Sequence, residues 1–191
     1  MIAAFVAFAA PLNSRADAPA PNKAQAKFEV EWMKGMIDHH HMAVMMAELC
    51  EGRAVHPELT ATCEEIITTQ MAEIEELQSW LLDWYGLTYE PQMKPGDERM
   101  MERLAQFEGA EFEIAFMEMM VRHHMKAIRE SLLAVRRAYH PELKAMAENI
   151  IVTQAAEIEQ FQEWLCEWYD RCGGPRLNGI LKKQISSMRR G

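Results

Sequence analysis

The chain has 191 residues and a formal net charge of −9. That length suits one domain or two intimately packed halves, and the acidic balance argues against a nucleic-acid partner. The charge is uneven: residues 173–191 carry Arg176, Lys182, Lys183, Arg189 and Arg190 and no acid, so the part before them is near −14.

Residues 1–27 read as a signal peptide and linker. An apolar run from Ile2 to Leu12 is followed by a polar stretch with Ala16-Asp17-Ala18, the small-x-small pattern of a secretory cleavage site. The run is too short to span a bilayer as a helix. No basic segment precedes it, which leaves open a true start upstream of Met1; an apolar tail without a targeting role is the alternative. Pro19, Pro21 and Asn22 read as linker.

From Phe28 onward the periodicity is helical. The first long helix spans Phe28 to about Cys50 and ends near Gly52. His56-Pro57 opens the second, with proline suited to a first helical turn, and Gly86 stops it after Tyr85. Its apolar seam steps by three and four through Leu59, Cys63, Ile66, Gln70, Ile74, Leu77, Leu81 and Trp84. Residues 86–111 form a linker with Pro91 and Pro95, and with a short helix capped by Asp97. Helices from Glu111 to about Ala138 and from Pro141 to Tyr169 follow. Gly173-Gly174-Pro175 ends the helical part, and residues 170–191 form a basic tail. No alternating run predicts a strand.

The third and fourth long helices repeat the first and second. Residues 28–85 align with 112–169 at an offset of 84 without a gap, with 29 identities in 58 positions. The repeated word is Met33-x-x-Met36-x-x-His39-His40 against Met117-x-x-Met120-x-x-His123-His124. A repeat this long is a duplicated structural unit, so any site it carries is expected in two related copies. Two helical hairpins joined by a longer crossover predict an all-α four-helix bundle.

Nine of the sixteen methionines lie in 33–46 and 117–125. Core plasticity alone would scatter them. At 100° per residue Met33, Met36, His40, Val44 and Ala47 share one helix face, as do Met117, Met120, His124, Ile128 and Ser131. His39 sits on the edge of its face. Each repeat thus points two thioethers and an imidazole inward. Opposite them, Gln70 and Gln154 interrupt apolar seams, with Glu73 and Glu157 one turn on. A buried polar side chain needs a partner, and the His pairs are the natural ones. Either these groups form a structural hydrogen-bonded layer, or they hold a metal with Gln70, Glu73, Gln154 and Glu157 orienting the imidazoles.

A dinuclear iron bundle uses Glu-x-x-His; here the spacing carries Met36-x-x-His39 and Met120-x-x-His123. Neutral sulfur in place of hard carboxylate oxygen favours Cu(I) or its mimic Ag(I). The first repeat adds His41, Met42, Met45 and Met46. His39, Met42 and Met46 form a second stripe expected nearer the solvent, either an extra ion site or a methionine-rich contact surface. His56 and His140 are expected to be capping or turn residues. Cys50, Cys63, Cys166 and Cys172 have no cysteine counterparts under the offset. They form two disulfides, Cys50 with Cys63 and Cys166 with Cys172, or four buried apolar residues.

The combined pattern of Met-x-x-Met-(Ile/Val)-x-His-His, His-Pro-Glu-Leu, Ile-Ile-x-x-Gln-x-x-Glu-Ile and Trp-Leu resembles the domain of unknown function 305 family, in two tandem copies. The resemblance implies a ferritin-like bundle and an exported, periplasmic or otherwise extracytoplasmic copper-binding protein rather than an enzyme. It carries over Met33, Met36, His39, His40, the Met42–Met46 cluster, Met117, Met120, His123 and His124 as metal residues. The second repeat departs after its His pair, where Arg129-Glu130-Ser131 stands. Partners are then the metal ion and another copper-handling protein, with oligomerisation open. The rival readings are a ferritin-like dinuclear-metal oxidase and a metal-free helical stress or scaffold protein.

Overall fold

The computed structural model describes residues 18–174 and Ile185. Among these there are five helices and no strand: α1 (Lys23–Glu48), α2 (Pro57–Tyr85), α3 (Pro95–Leu104), α4 (Gly109–Arg137) and α5 (Pro141–Tyr169). The expected signal segment before residue 18, and the basic tail apart from Ile185, lie outside the described residues. No described helix is long and apolar enough to cross a membrane.

Local chemistry sets the helix ends. Asn22, expected as linker, accepts hydrogen bonds from the backbone N–H of Ala24 (2.8 Å) and Gln25 (3.4 Å). These are two of the donors a helix start leaves orphaned, so α1 begins ahead of Phe28. Pro57 and Pro141 each open a helix where a backbone N–H would go unused. At the end of α2, Gly86 takes φ 64, which lets Gly86 N–H reach Leu82 O (2.8 Å) and Leu87 N–H reach Leu81 O (3.0 Å). The end of α5 repeats this turn with Asp170 at φ 54, one of the few side chains that visit the left-handed region. The crossover helix starts at Pro95, ahead of the predicted cap. Asp97 lies in its first turn instead, where a carboxylate suits the positive end of the helix.

α1 packs along α2 and α4 along α5, while α1 also crosses α4 and α3 lies over both. Trp32 Nε1 donates to Glu130 O (3.1 Å) and His39 Nε2 to His123 O (3.1 Å). Numbers rise along α1 as they fall along α4, so the two run antiparallel. This divides the core in two. One cluster joins the start of α1 to the end of α4 through Trp32, Met33, Met36, Ala127 and Ala134. The other joins the end of α1 to the start of α4 through Met42, Met46, Phe112, Phe116, Met117 and Met120, and includes Ile185. Each fully buried large apolar side chain is worth roughly 1.5–3 kcal/mol.

The four cysteines form two disulfides, Cys50–Cys63 and Cys166–Cys172. The first ties the turn after α1 to α2; the second holds the chain just after α5.

Candidate metal centre

The repeated word lies in the interior. Met33, Met36 and His40 on α1, and Met117, Met120 and His124 on α4, are all fully buried. Steps of three and four put each trio on one helix face. From the neighbouring helices Glu73 Oε2 comes within 2.8 Å of His40 Nε2, and Glu157 Oε2 within 2.6 Å of His124 Nε2. Both approaches fall short of an aligned hydrogen bond. Nδ1 of His40 and of His124 is buried with no hydrogen-bond partner, as is Oε1 of Gln70 and of Gln154. An unsatisfied buried polar atom costs about 1–3 kcal/mol, and here such atoms recur at matching positions of both repeats.

That arrangement fits a metal. A metal-binding histidine usually turns its other ring nitrogen to a carboxylate, and here Nε2 of each imidazole faces a glutamate while Nδ1 is bare. Two thioethers lie within two turns on the same face, and a donor set of sulfur and imidazole nitrogen suits a soft ion. Among the described residues no group of three or more His, Cys, Asp or Glu side chains converges to hold a metal. Glu73 and Glu157 each face one histidine.

The two sulfur pairs do not share one spot. Met33 and Met36 belong to one core cluster and Met117 and Met120 to the other, the latter together with Met42 and Met46. The expected outer stripe is corrected by the same packing. Met42 (2 % exposed) and Met46 (0 %) are core residues, and His39 is 5 % exposed rather than at an edge. The cause is α4, which crosses α1 on this side and so buries a second face of it. His41 and Met45 are half-buried.

His39 and His123 meet where α1 and α4 cross. Their rings stack with centroids 3.6 Å apart. Burial, and then the neighbouring histidines, hold both well below the usual histidine pKa. His39 Nε2 donates to a carbonyl, so in the neutral ring Nδ1 keeps the lone pair, and it is buried without a partner.

Sequence reasoning missed Glu29 and Glu113, both fully buried. Glu29 Oε1 accepts the backbone N–H groups of Tyr139 (2.5 Å) and His140 (2.9 Å). Its Oε2 accepts His140 Nδ1 (2.7 Å) and the Tyr85 hydroxyl (2.5 Å). Glu113 does the same for Val55 N–H (2.6 Å), His56 N–H (2.7 Å), His56 Nδ1 (2.6 Å) and the Tyr169 hydroxyl. Trp84 stacks on His140 and Trp168 on His56. His56 and His140 thus stand at helix caps, as expected, but neither makes a side-chain cap bond; their rings serve these carboxylates. Burial pushes each carboxyl up, yet the bonds from tyrosine, histidine and backbone outweigh it and leave both below the ordinary glutamate value. Burial and the adjoining carboxylate push the Tyr85 and Tyr169 hydroxyls up. The available signal was that Glu29, Tyr85, Trp84 and His56 all recur at the 84-residue offset.

The geometry has close relatives of known structure. CopM in the Cu(I)-bound form is 29% identical, with a TM-score of 0.67, over 74% of this chain and 97% of that chain. CopM in the Cu(II)-bound form is also 29% identical, with a TM-score of 0.68 and the same coverage. A DUF305 protein from Streptomyces coelicolor, 20% identical with a TM-score of 0.65 over 73% of this chain and 91% of that one, shares the fold. No curated protein matches the chain. The model of the domain of unknown function DUF305 matches residues 29–165, and the chain belongs to that family.

Proposed function

We propose that this chain is an exported copper-binding protein that sequesters or passes on Cu(I), or Ag(I), without catalysis. Its ligands are Met/His groups inside a ferritin-like four-helix bundle of two duplicated hairpins. Met33, Met36 and His40, with Met117, Met120 and His124, are the inner ligands; Glu73 and Glu157 orient the imidazoles, assisted by Gln70 and Gln154. The observation that carries this reading is the bare, buried Nδ1 of His40 and His124, each on a face shared with two thioethers. CopM, similar over nearly its whole length, has been solved in Cu(I)-, Cu(II)- and Ag-bound forms. Thioethers stay available at all pH values, so proton competition falls on the histidines alone. Two disulfides support an oxidising, extracytoplasmic setting.

The test is a Cu(I) titration against a colorimetric chelator, on wild type and on His40→Ala/His124→Ala. Wild type is expected to withdraw at least one equivalent, and the double variant to lose most of that capacity. A wild type that withdraws none contradicts the reading.

A further inference from the structure

A groove of 710 Å³ runs between α3, the first half of α4 and the turn after α5. Four arginines border it: Arg99 and Arg103 one turn apart on α3, Arg122 on α4, and Arg171 beyond α5. Half-buried Met100, Phe107, Ile114 and Met119 make an apolar floor that rests on the core beneath. The acids present are Glu111 and Glu118, and Glu118 is already taken by Arg171 (2.7 Å). Among the described residues Arg99, Arg103 and Arg122 make no ion pair.

That placement is unusual for this chain. The part before residue 173 has fifteen lysines and arginines against 29 acids, so a cation has carboxylates in excess around it. Three arginines without one, gathered at one apolar groove, are left for a group outside the fold. The duplication supplies a comparison. Arg122 stands where the first repeat has Asp38, and Arg171 where it has Leu87. Asp38 is engaged within the fold, accepting from the Tyr89 hydroxyl (3.0 Å) and Gln92 N–H (2.8 Å). Because α3 also lies outside the repeated segments, the groove occurs once.

Charge sets the sign of the occupant. Guanidinium forks match carboxylates, and arginine clusters are common readers of acidic segments. Exposed charge pairs are individually weak, so contact with the apolar floor has to supply the rest. The basic tail from residue 173 carries the wrong sign to fill the groove. A second copy would have to bring its acidic surface to the groove head to tail, which does not close into a dimer. An anionic bilayer is repelled by the acidic body around the groove.

We propose that this groove docks an acidic, amphipathic segment of a partner protein, with carboxylates on Arg99, Arg103 and Arg122 and apolar side chains on Phe107, Ile114 and Met119. The surface needs no metal and uses none of the repeated Met and His residues, so it stands apart from the proposed function.

The experiment is fluorescence anisotropy on the full, metal-free chain with a labelled peptide in which Glu and Leu recur at helical spacing. Binding is expected, weakened about tenfold or more in Arg99→Gln/Arg103→Gln, the loss of one good arginine anchor. Lys23→Gln/Lys27→Gln removes the same charge from exposed positions at the start of α1 and should leave binding unchanged. No binding by wild type, or equal losses in the two variants, overturns the proposal. So does equal binding of the same peptide with Ser for Leu, which would reduce the groove to a patch of charge. Arginine-dependent binding to phosphatidylglycerol vesicles, or arginine-dependent self-association in sedimentation, assigns the groove to another occupant and overturns it too. Carbon-13-labelled methionine methyls give a readout on the unaltered chain. The Met100 and Met119 signals should move as peptide is added; signals that stay in place at saturation contradict docking in this groove.

Discussion

Glu29 and Glu113 each gather four hydrogen bonds in a buried setting. Each clamp takes its carboxylate, tyrosine and tryptophan from one repeat and its histidine from the other, so it ties the two halves together. Removing one member of such a buried network strands the rest. Glu29→Ala is therefore expected to cost about 3 kcal/mol in urea unfolding while leaving metal stoichiometry unchanged; a loss below about 0.5 kcal/mol, the range of ordinary surface changes, would contradict the clamp. The depressed pKa of both carboxyls sets the sign of a pH effect. The unfolded chain takes up these protons near the ordinary glutamate value of about 4.3, whereas the folded chain resists until lower pH. Their stabilisation is thus complete above that value and is lost as pH falls through the folded pKa values. Unfolding midpoints measured from pH 6 to 3 should fall less steeply below pH 4.5 in Glu29→Gln/Glu113→Gln than in wild type, and equal slopes would refute the assignment. These residues were hard to see because a glutamate in an acidic chain carries no mark of burial. The partner-seeking Gln70, Glu73, Gln154 and Glu157 were visible because they interrupt apolar seams.

Helices and their ends were legible where the signal is local. His-Pro starts, the Gly86 stop and the seam of α2 depend on neighbours in sequence, and the buried residues of α2 are those of the predicted seam with Glu73 added. Met42, Met46 and His39 were misplaced because their burial is tertiary: one amphipathic face predicts one packed side, and α1 has two. The disulfides were open alternatives since nothing in cysteine spacing fixes bonding. Cys50–Cys63 closes a sequence separation of 13, and chain entropy assigns it about 3 kcal/mol. Cys50→Ala/Cys63→Ala should lower stability by that order in denaturant unfolding, and Cys166→Ala/Cys172→Ala, across a separation of 6, by less. The reverse order would show that strain or residual structure governs these crosslinks instead.

Across the whole molecule, the two Met-x-x-Met-x-x-His-His words place their methionine pairs in separate core clusters, each pair on one helix face with a buried histidine. Replacing thioethers by isosteric leucine separates packing from ligation. Met33→Leu/Met36→Leu should shift stability by less than about 1.5 kcal/mol and weaken Ag(I) binding at least tenfold; unchanged affinity with intact folding would show those sulfurs to be packing alone. Soft-metal ligation by sulfur and imidazole together underlies the proposed function. X-ray absorption at the copper edge of the Cu(I)-loaded protein examines that directly. The expected first coordination shell contains both sulfur and nitrogen, with the sulfur contribution reduced in Met33→Leu/Met36→Leu/Met117→Leu/Met120→Leu. A shell of oxygen and nitrogen alone, unchanged by those substitutions, would contradict it.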